Sequence, residues 1–273
     1  MNQSPVRHTR KSGRFHTASA ASCHTCTGSP PDSIPRNIAQ HRYSAFPLGS
    51  MQIVARYDCR CQNPIIDWSE PNIPNMPYYI RVLAVSDRII SASELAHSLK
   101  TSTLTVEAGT DEQWDQLLLA HENGQEIAVI ERNPVSKGSM AAEEIEEFID
   151  ELQEAQPASG SRWLVDYLPR VKTIYAFQVL SGADEADGWS KLGSVKALLW
   201  NKLGGIFQAD SEGFSNEDGY HIVWQFSERA SGPWWMGLFI DGKWMYFEMD
   251  LANRQQREQF LRGELPAGVK LST

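Results

Sequence analysis

The pair Asp241-Gly242 constrains this chain more than any other feature. It separates two runs, residues 234–240 and 244–249, that are rich in the aromatic and branched side chains strands favour. Asp-Gly between apolar runs predicts a two-residue hairpin turn, because both central positions of the favoured turn need a positive φ. The turn fixes the register: Ile240 faces Lys243, Phe239 faces Trp244, Leu238 faces Met245 and Met236 faces Phe247. Side chains alternate across a strand, so Met236, Leu238, Met245 and Phe247 share a core face. Trp235, Phe239, Trp244 and Tyr246 share the other. That second face reads either as a core layer beneath a helix or as an exposed recognition surface.

Upstream, residues 210–219 read as one acidic loop leading to a strand over residues 222–226. Asp210, Glu212, Glu217 and Asp218 fall within it, and His221 follows at the start of the strand. The spacing does not suit a calcium loop of the helix-loop-helix kind, and its flanks read as strands. Gly213-Phe214-Ser215-Asn216-Glu217 resembles a nucleophile elbow, except that Glu stands where the last Gly belongs. A solvated turn accounts for such a loop without any ligand.

The rest of the chain alternates strands with capped helices. Residues 78–85 read as a strand. Ser91 and Glu94 then form a capping box, with Ile90 and Leu95 as its hydrophobic staple. A short strand over 104–108 precedes a second hairpin at Asn123-Gly124, whose two-residue turn would set His121 opposite Glu126 and Leu118 opposite Val129. His121 beside a carboxylate reads as a surface pair or as a general base. Ile145, Phe148, Ile149 and Leu152 form one face of a helix opened by Ser139, with a carboxylate stripe outside. Residues 157–160 read as a linker. A helix from Ser161, a strand over 173–180, a helix capped by Asp187 and stopped by Gly204, and a last helix over 252–262 complete the pattern.

These elements predict an α+β fold of two similar β-α-β-β-β-α units, residues 51–157 and 158–273. Each is an antiparallel meander with its helices on one face. Residues 1–50 are set apart: Arg7, Arg10, Lys11, Arg14, Arg36 and Arg42 stand against a single acid, Asp32, in a segment poor in apolar periodicity. It reads as a disordered basic extension, with translation starting at Met51, an organelle-targeting peptide or a basic arm as the alternatives. Cys23 and Cys26, with Cys59 and Cys61, are spaced as thiolate pairs, but nothing orients them, so no metal or other cofactor is expected. With no secretory signal, reduced thiols in a cytoplasmic protein are expected.

A net charge of −9 and the acidic stripe disfavour nucleic acid and anionic membranes as partners. Dinucleotide, phosphate-loop, zinc-protease and deaminase signatures are missing. The best-supported expectation is a binding or adaptor module. Asp210, Glu212, Glu217, Asp218 and His221 with Trp224, Trp235 and Trp244 would recognise a small cationic ligand or a basic segment of an unidentified protein. A second reading is an enzyme of unrecognised type using His221, Glu217 and Asp218. A third is a homodimer built on the aromatic face.

Overall fold

The architecture is decided at β1 (Tyr78–Ala84), whose alternating side chains serve two cores at once. Ile80, Val82 and Ala84 point into one apolar cluster and Leu83 into another on the opposite face. The computed structural model describes residues 77–99, 102–185 and 187–272. The expected first strand over 52–57, the proline-rich loop after it, all four cysteines and the basic extension lie outside the described residues.

After β1 come α1 (Ala92–His97), β2 (Ser102–Gly109), β3 (Trp114–His121), β4 (Glu126–Pro134), α2 (Met140–Glu151) and α3 (Ala158–Tyr167). Then follow β5 (Thr173–Val179), α4 (Gly188–Leu203), β6 (Ile206–Ala209), β7 (Gly213–Ser215), β8 (His221–Trp224), β9 (Pro233–Ile240) and β10 (Lys243–Asp250), with α5 (Arg254–Leu261) and β11 (Lys270–Leu271) last. All the strands join one sheet in the order β11-β10-β9-β8-β7-β6-β1-β5-β4-β3-β2. β1 lies antiparallel between β5 and β6. The pairing of β8 with β9 is parallel and rests on one residue pair, His221 with Met236.

This corrects the expectation of two sheets with helices on one side of each. Strands from both stretches interleave in a single mixed α+β layer, and helices cover it on both faces. Leu95 of α1 and Leu192, Val195 and Leu199 of α4 pack with Val82 and Phe177 on one face. Ile145 and Phe148 of α2 and Leu164 of α3 pack with Leu83, Ile206 and Phe214 on the other. A third cluster, around Met236, Leu238, Phe247 and Phe260, seats α5 on β9 and β10. Among the described residues no helix is long and apolar enough to cross a membrane.

Local corrections follow from packing. Residues 158–160 are the first turn of α3 rather than a linker. Gly160 is buried there, and a Cβ on it would fall well inside van der Waals contact of the Ile222 carbonyl, so only Gly lets α3 lie this close to β8. Ser91 and Ser139 cap α1 and α2 through their side chains as expected, with hydroxyls accepting from Glu94 and Ala142. Asp187 precedes α4 but makes no side-chain cap, because it adopts the left-handed conformation at φ 65°.

The two hairpins part company at their turns. Between β9 and β10, Asp241 and Gly242 are both left-handed, at φ 49° and 77°, and every expected pair is formed. Between β3 and β4, Gly124 at φ 86° is left-handed while Asn123 is not. Gly124 N donates to His121 O and His121 N to Gln125 O, both at 2.9 Å. This is a three-residue connection with a glycine bulge. Ala120, not His121, therefore pairs with Glu126, and a bulge next to it restores Leu118 opposite Val129 as expected.

Candidate functional site

On the sheet face that carries α2 and α3, α3 reaches β9 and touches Trp244 of β10 but leaves part of these two strands uncovered. Alternation brings Trp235, Gly237 and Phe239 of β9 and Trp244 and Tyr246 of β10 to this face. Gly237 is its floor. A Cβ there would stand 3.2 Å from the Tyr246 ring and 3.3 Å from Tyr220 Cβ, so the missing side chain is what lets two tyrosines lie over the strand. Those rings stack at 3.8 Å and 7°. Trp235 meets Tyr220 edge-on at 6.1 Å, and Trp244 lies nearly parallel to Tyr246 at 6.3 Å.

α3 closes one end of the row. Its Trp163 stacks on Tyr167 at 4.7 Å and meets Trp244 edge-on at 5.3 Å. Trp235 keeps 38% of its surface exposed, and Phe239, Trp244, Tyr246 and Trp163 are half-buried. The second face is thus neither a closed core layer nor fully open.

The carboxylates next to the rings are held in place. Asn216, fully buried, organises the turn before β8: its Oδ1 accepts from the backbone N–H of Asp218 at 3.1 Å and of Tyr220 at 3.0 Å. Its Nδ2 donates to the Tyr246 hydroxyl at 3.0 Å. That hydroxyl in turn donates to Asp218 through a short bond. Tyr167 OH donates to Glu217 at 2.9 Å. Burial, with the adjacent carboxylate, pushes both phenols well above their ordinary range, so both stay protonated donors. Glu217 and Asp218 are both exposed, and Glu217 also lies 3.8 Å from the Arg170 guanidinium.

The other residues singled out in the sequence do not join this site. The expected single loop over 210–219 contains β7, which pairs with both β6 and β8. Its two ends are turns at opposite ends of that strand, so Asp210 and Glu212 are parted from Glu217 and Asp218. Asp210 accepts from Arg81 at 2.6 Å, and the same guanidinium donates to Glu144 at 2.6 Å. Glu212 accepts from Tyr78 OH at 2.8 Å, and burial raises its pKa. His221 is 3% exposed. Its Nε2 lies 2.8 Å from the Glu212 carbonyl, which can only accept, so that nitrogen carries the proton. Burial pushes the imidazole down to about 4. Its ring neighbours are Phe226 and Trp234.

Trp224 donates to the Phe226 carbonyl at 3.0 Å and packs on the α5 side. Of the other tryptophans, Trp200 is buried in the core, and Trp189 lies against Tyr78. His121 is buried too, with Nε2 donating to Gly182 O at 2.8 Å and Nδ1 accepting from Lys191 at 2.9 Å, so it ties α4 to the hairpin. Sequence reasoning missed Trp163, Tyr167, Tyr220 and Asn216. The four-residue spacing of Trp163 and Tyr167 on one helix face was the available signal.

Among the described residues no group of three or more His, Cys, Asp or Glu side chains is placed to hold a metal ion. Compared with protein-family models, with curated proteins and with solved structures, the chain has no match.

Proposed function

We propose that this chain is a binding module, and that the face of Trp235, Phe239, Trp244 and Tyr246, rimmed by Glu217 and Asp218, takes a cationic ligand or a basic segment of a partner protein. One observation carries the reading: a partly exposed row of rings beside two exposed carboxylates, each of which accepts from a tyrosine hydroxyl, Asp218 from Tyr246 and Glu217 from the buried Tyr167. Ring faces attract cations, and a fixed carboxylate beside them adds direct charge pairing without an ordering cost at the moment of binding. The net charge of −9 favours approach of a cationic partner and opposes nucleic acid. The catalytic alternative gains no such support. His221 is enclosed by aromatic rings, and Asp210 and Glu212 are engaged with Arg81 and Tyr78.

Titration of the full chain with a basic peptide, followed by tryptophan fluorescence, tests the proposal. Binding should weaken with salt. Trp235→Ala should lower affinity about tenfold, the effect of losing a central aromatic anchor, while costing under about 1 kcal/mol of stability. Affinity unchanged by Trp235→Ala would remove the reading.

A further inference from the structure

We infer that the cation this face accepts is the guanidinium of an arginine carried on an extended segment of a partner protein, rather than an ammonium; the inference rests on the binding role just proposed. The protein already holds a filled example of the arrangement at the edge of the site. Tyr167 OH donates to Glu217. Arg170 lies over the Tyr167 ring at 4.5 Å and approaches the same carboxylate at 3.8 Å. Phenol, carboxylate and guanidinium thus form a closed unit in which the cation stacks and pairs at once.

The neighbouring unit is the same without its guanidinium. Tyr246 OH donates to Asp218; Tyr220 stacks on the Tyr246 ring at 3.8 Å, and Trp244 lies nearly parallel to it at 6.3 Å. The second oxygen of Asp218 has no hydrogen-bond partner among the described residues, and the carboxylate is exposed. A guanidinium is planar and weakly hydrated, so it can lie flat on a ring while its fork reaches a carboxylate at the ring's edge. An ammonium is a compact and strongly hydrated charge that must give up more water to sit there. The fold uses the same combination inside, where Arg81 lies 5.3 Å from the Tyr79 ring and 5.7 Å from Phe148 while pairing with Asp210 and Glu144.

A segment, not a free small molecule, suits the length of the row. Trp244 pairs with Phe239, which lies four residues along β9 from Trp235, so the two indoles stand at ends of the face separated by about 13 Å of strand, beyond the reach of one side chain. An extended peptide advances roughly 3.3 Å per residue and matches such a path with a handful of residues.

The test compares three synthetic peptides of one Gly/Ser-rich sequence carrying two arginines, two lysines or two neutral citrullines, each titrated calorimetrically into the full chain at low salt. The arginine peptide should bind about fivefold or more tighter than the lysine peptide, and the citrulline peptide far more weakly than either. Asp218→Asn should reduce the arginine preference toward parity, whereas Trp235→Ala should weaken both charged peptides alike. Asp218 is exposed, and thermal melting checks that the variant is folded; Glu122→Gln, on the exposed β3–β4 turn away from this face, serves as a second variant that should leave the preference in place. Equal or tighter binding of the lysine peptide overturns this inference and leaves the binding surface standing. Failure of every peptide to bind overturns both. Sedimentation showing wild-type dimers that Trp235→Ala dissolves would make a second copy of this chain the occupant and would also overturn it.

Discussion

The two hairpins of the sheet carry nearly the same turn signal and end up as different surfaces. At β9–β10, Asp241 and Gly242 both take the left-handed conformation, the register is the two-residue one, and the outward face is aromatic. At β3–β4, only Gly124 does so, the connection gains a residue, and the outward face is formed by Gln116, Leu118, Val129 and Glu131. The bulge beside Ala120 absorbs the extra residue, so Leu118 still faces Val129 and no side chain beyond the bulge changes face. The composition of the strands, more than the turn, therefore decides which residues water meets. The turn does part His121 from Glu126, while alternation keeps its ring on the buried face of Leu117 and Leu119, where it meets Gly182 and Lys191.

The largest expected effect separates the two ends of the sheet. Gly160→Ala should destabilise the protein by about 3 kcal/mol, because the added methyl meets the backbone of β8 and α3 has to move. Hydrogen exchange should then show lost protection in β8, β9 and β10 with β2, β3 and β4 little changed. Uniform loss across the sheet would mean the two ends are not independent. Next comes the pH dependence of His221. The unfolded chain takes up a proton near pH 6.5, whereas the folded chain resists until about 4. Stability is therefore full above pH 6.5 and is lost progressively between pH 6.5 and 4, by about 3 kcal/mol in all. Glu212, whose pKa burial raises, works the other way on acidification. The difference between wild type and His221→Gln in denaturant titrations isolates the histidine; parallel curves across that range would show that its burial carries no such penalty.

The smallest effect tests the turns directly. Asp241→Gly should be neutral or stabilising by about 0.5 kcal/mol, since glycine accepts a left-handed conformation at no steric cost. Asn123→Gly should cost about 0.5–1 kcal/mol, because it adds unfolded-state freedom and relieves no strain. Changes of the same sign in paired thermal melts would dissolve the distinction drawn between the hairpins.

Much of the fold was legible where a local signal has one physical meaning. The capping serines of α1 and α2, the inward face of α2, and the whole β9–β10 register were read from the sequence because hydrogen-bond caps and periodicity are local properties. The joining of all strands into one sheet was not, since the pairing of β1 with β5 and β6 spans long sequence separations. β7 was hidden because Gly213, Phe214 and Ser215 form a strand through their two neighbours and not through propensity. Half of the expected acidic group was lost with it: once that strand is present, Asp210 and Glu212 cannot share an end with Glu217 and Asp218. The ring face itself was visible through Trp235, Phe239, Trp244 and Tyr246. The contribution of α3 was not, because a helix reveals its apolar side but not which strand it will border.

The lone parallel pair between His221 and Met236 leaves β8 and β9 stitched by very little backbone bonding. The C-terminal strands have their own apolar cluster on the far side, so this joint is the natural place for the sheet to breathe. The aromatic row crosses that joint, with Tyr220 on one bank and Trp235 and Tyr246 on the other. Any molecule resting across these rings bridges the gap like a clasp, and occupancy is thereby converted into slower opening of the sheet.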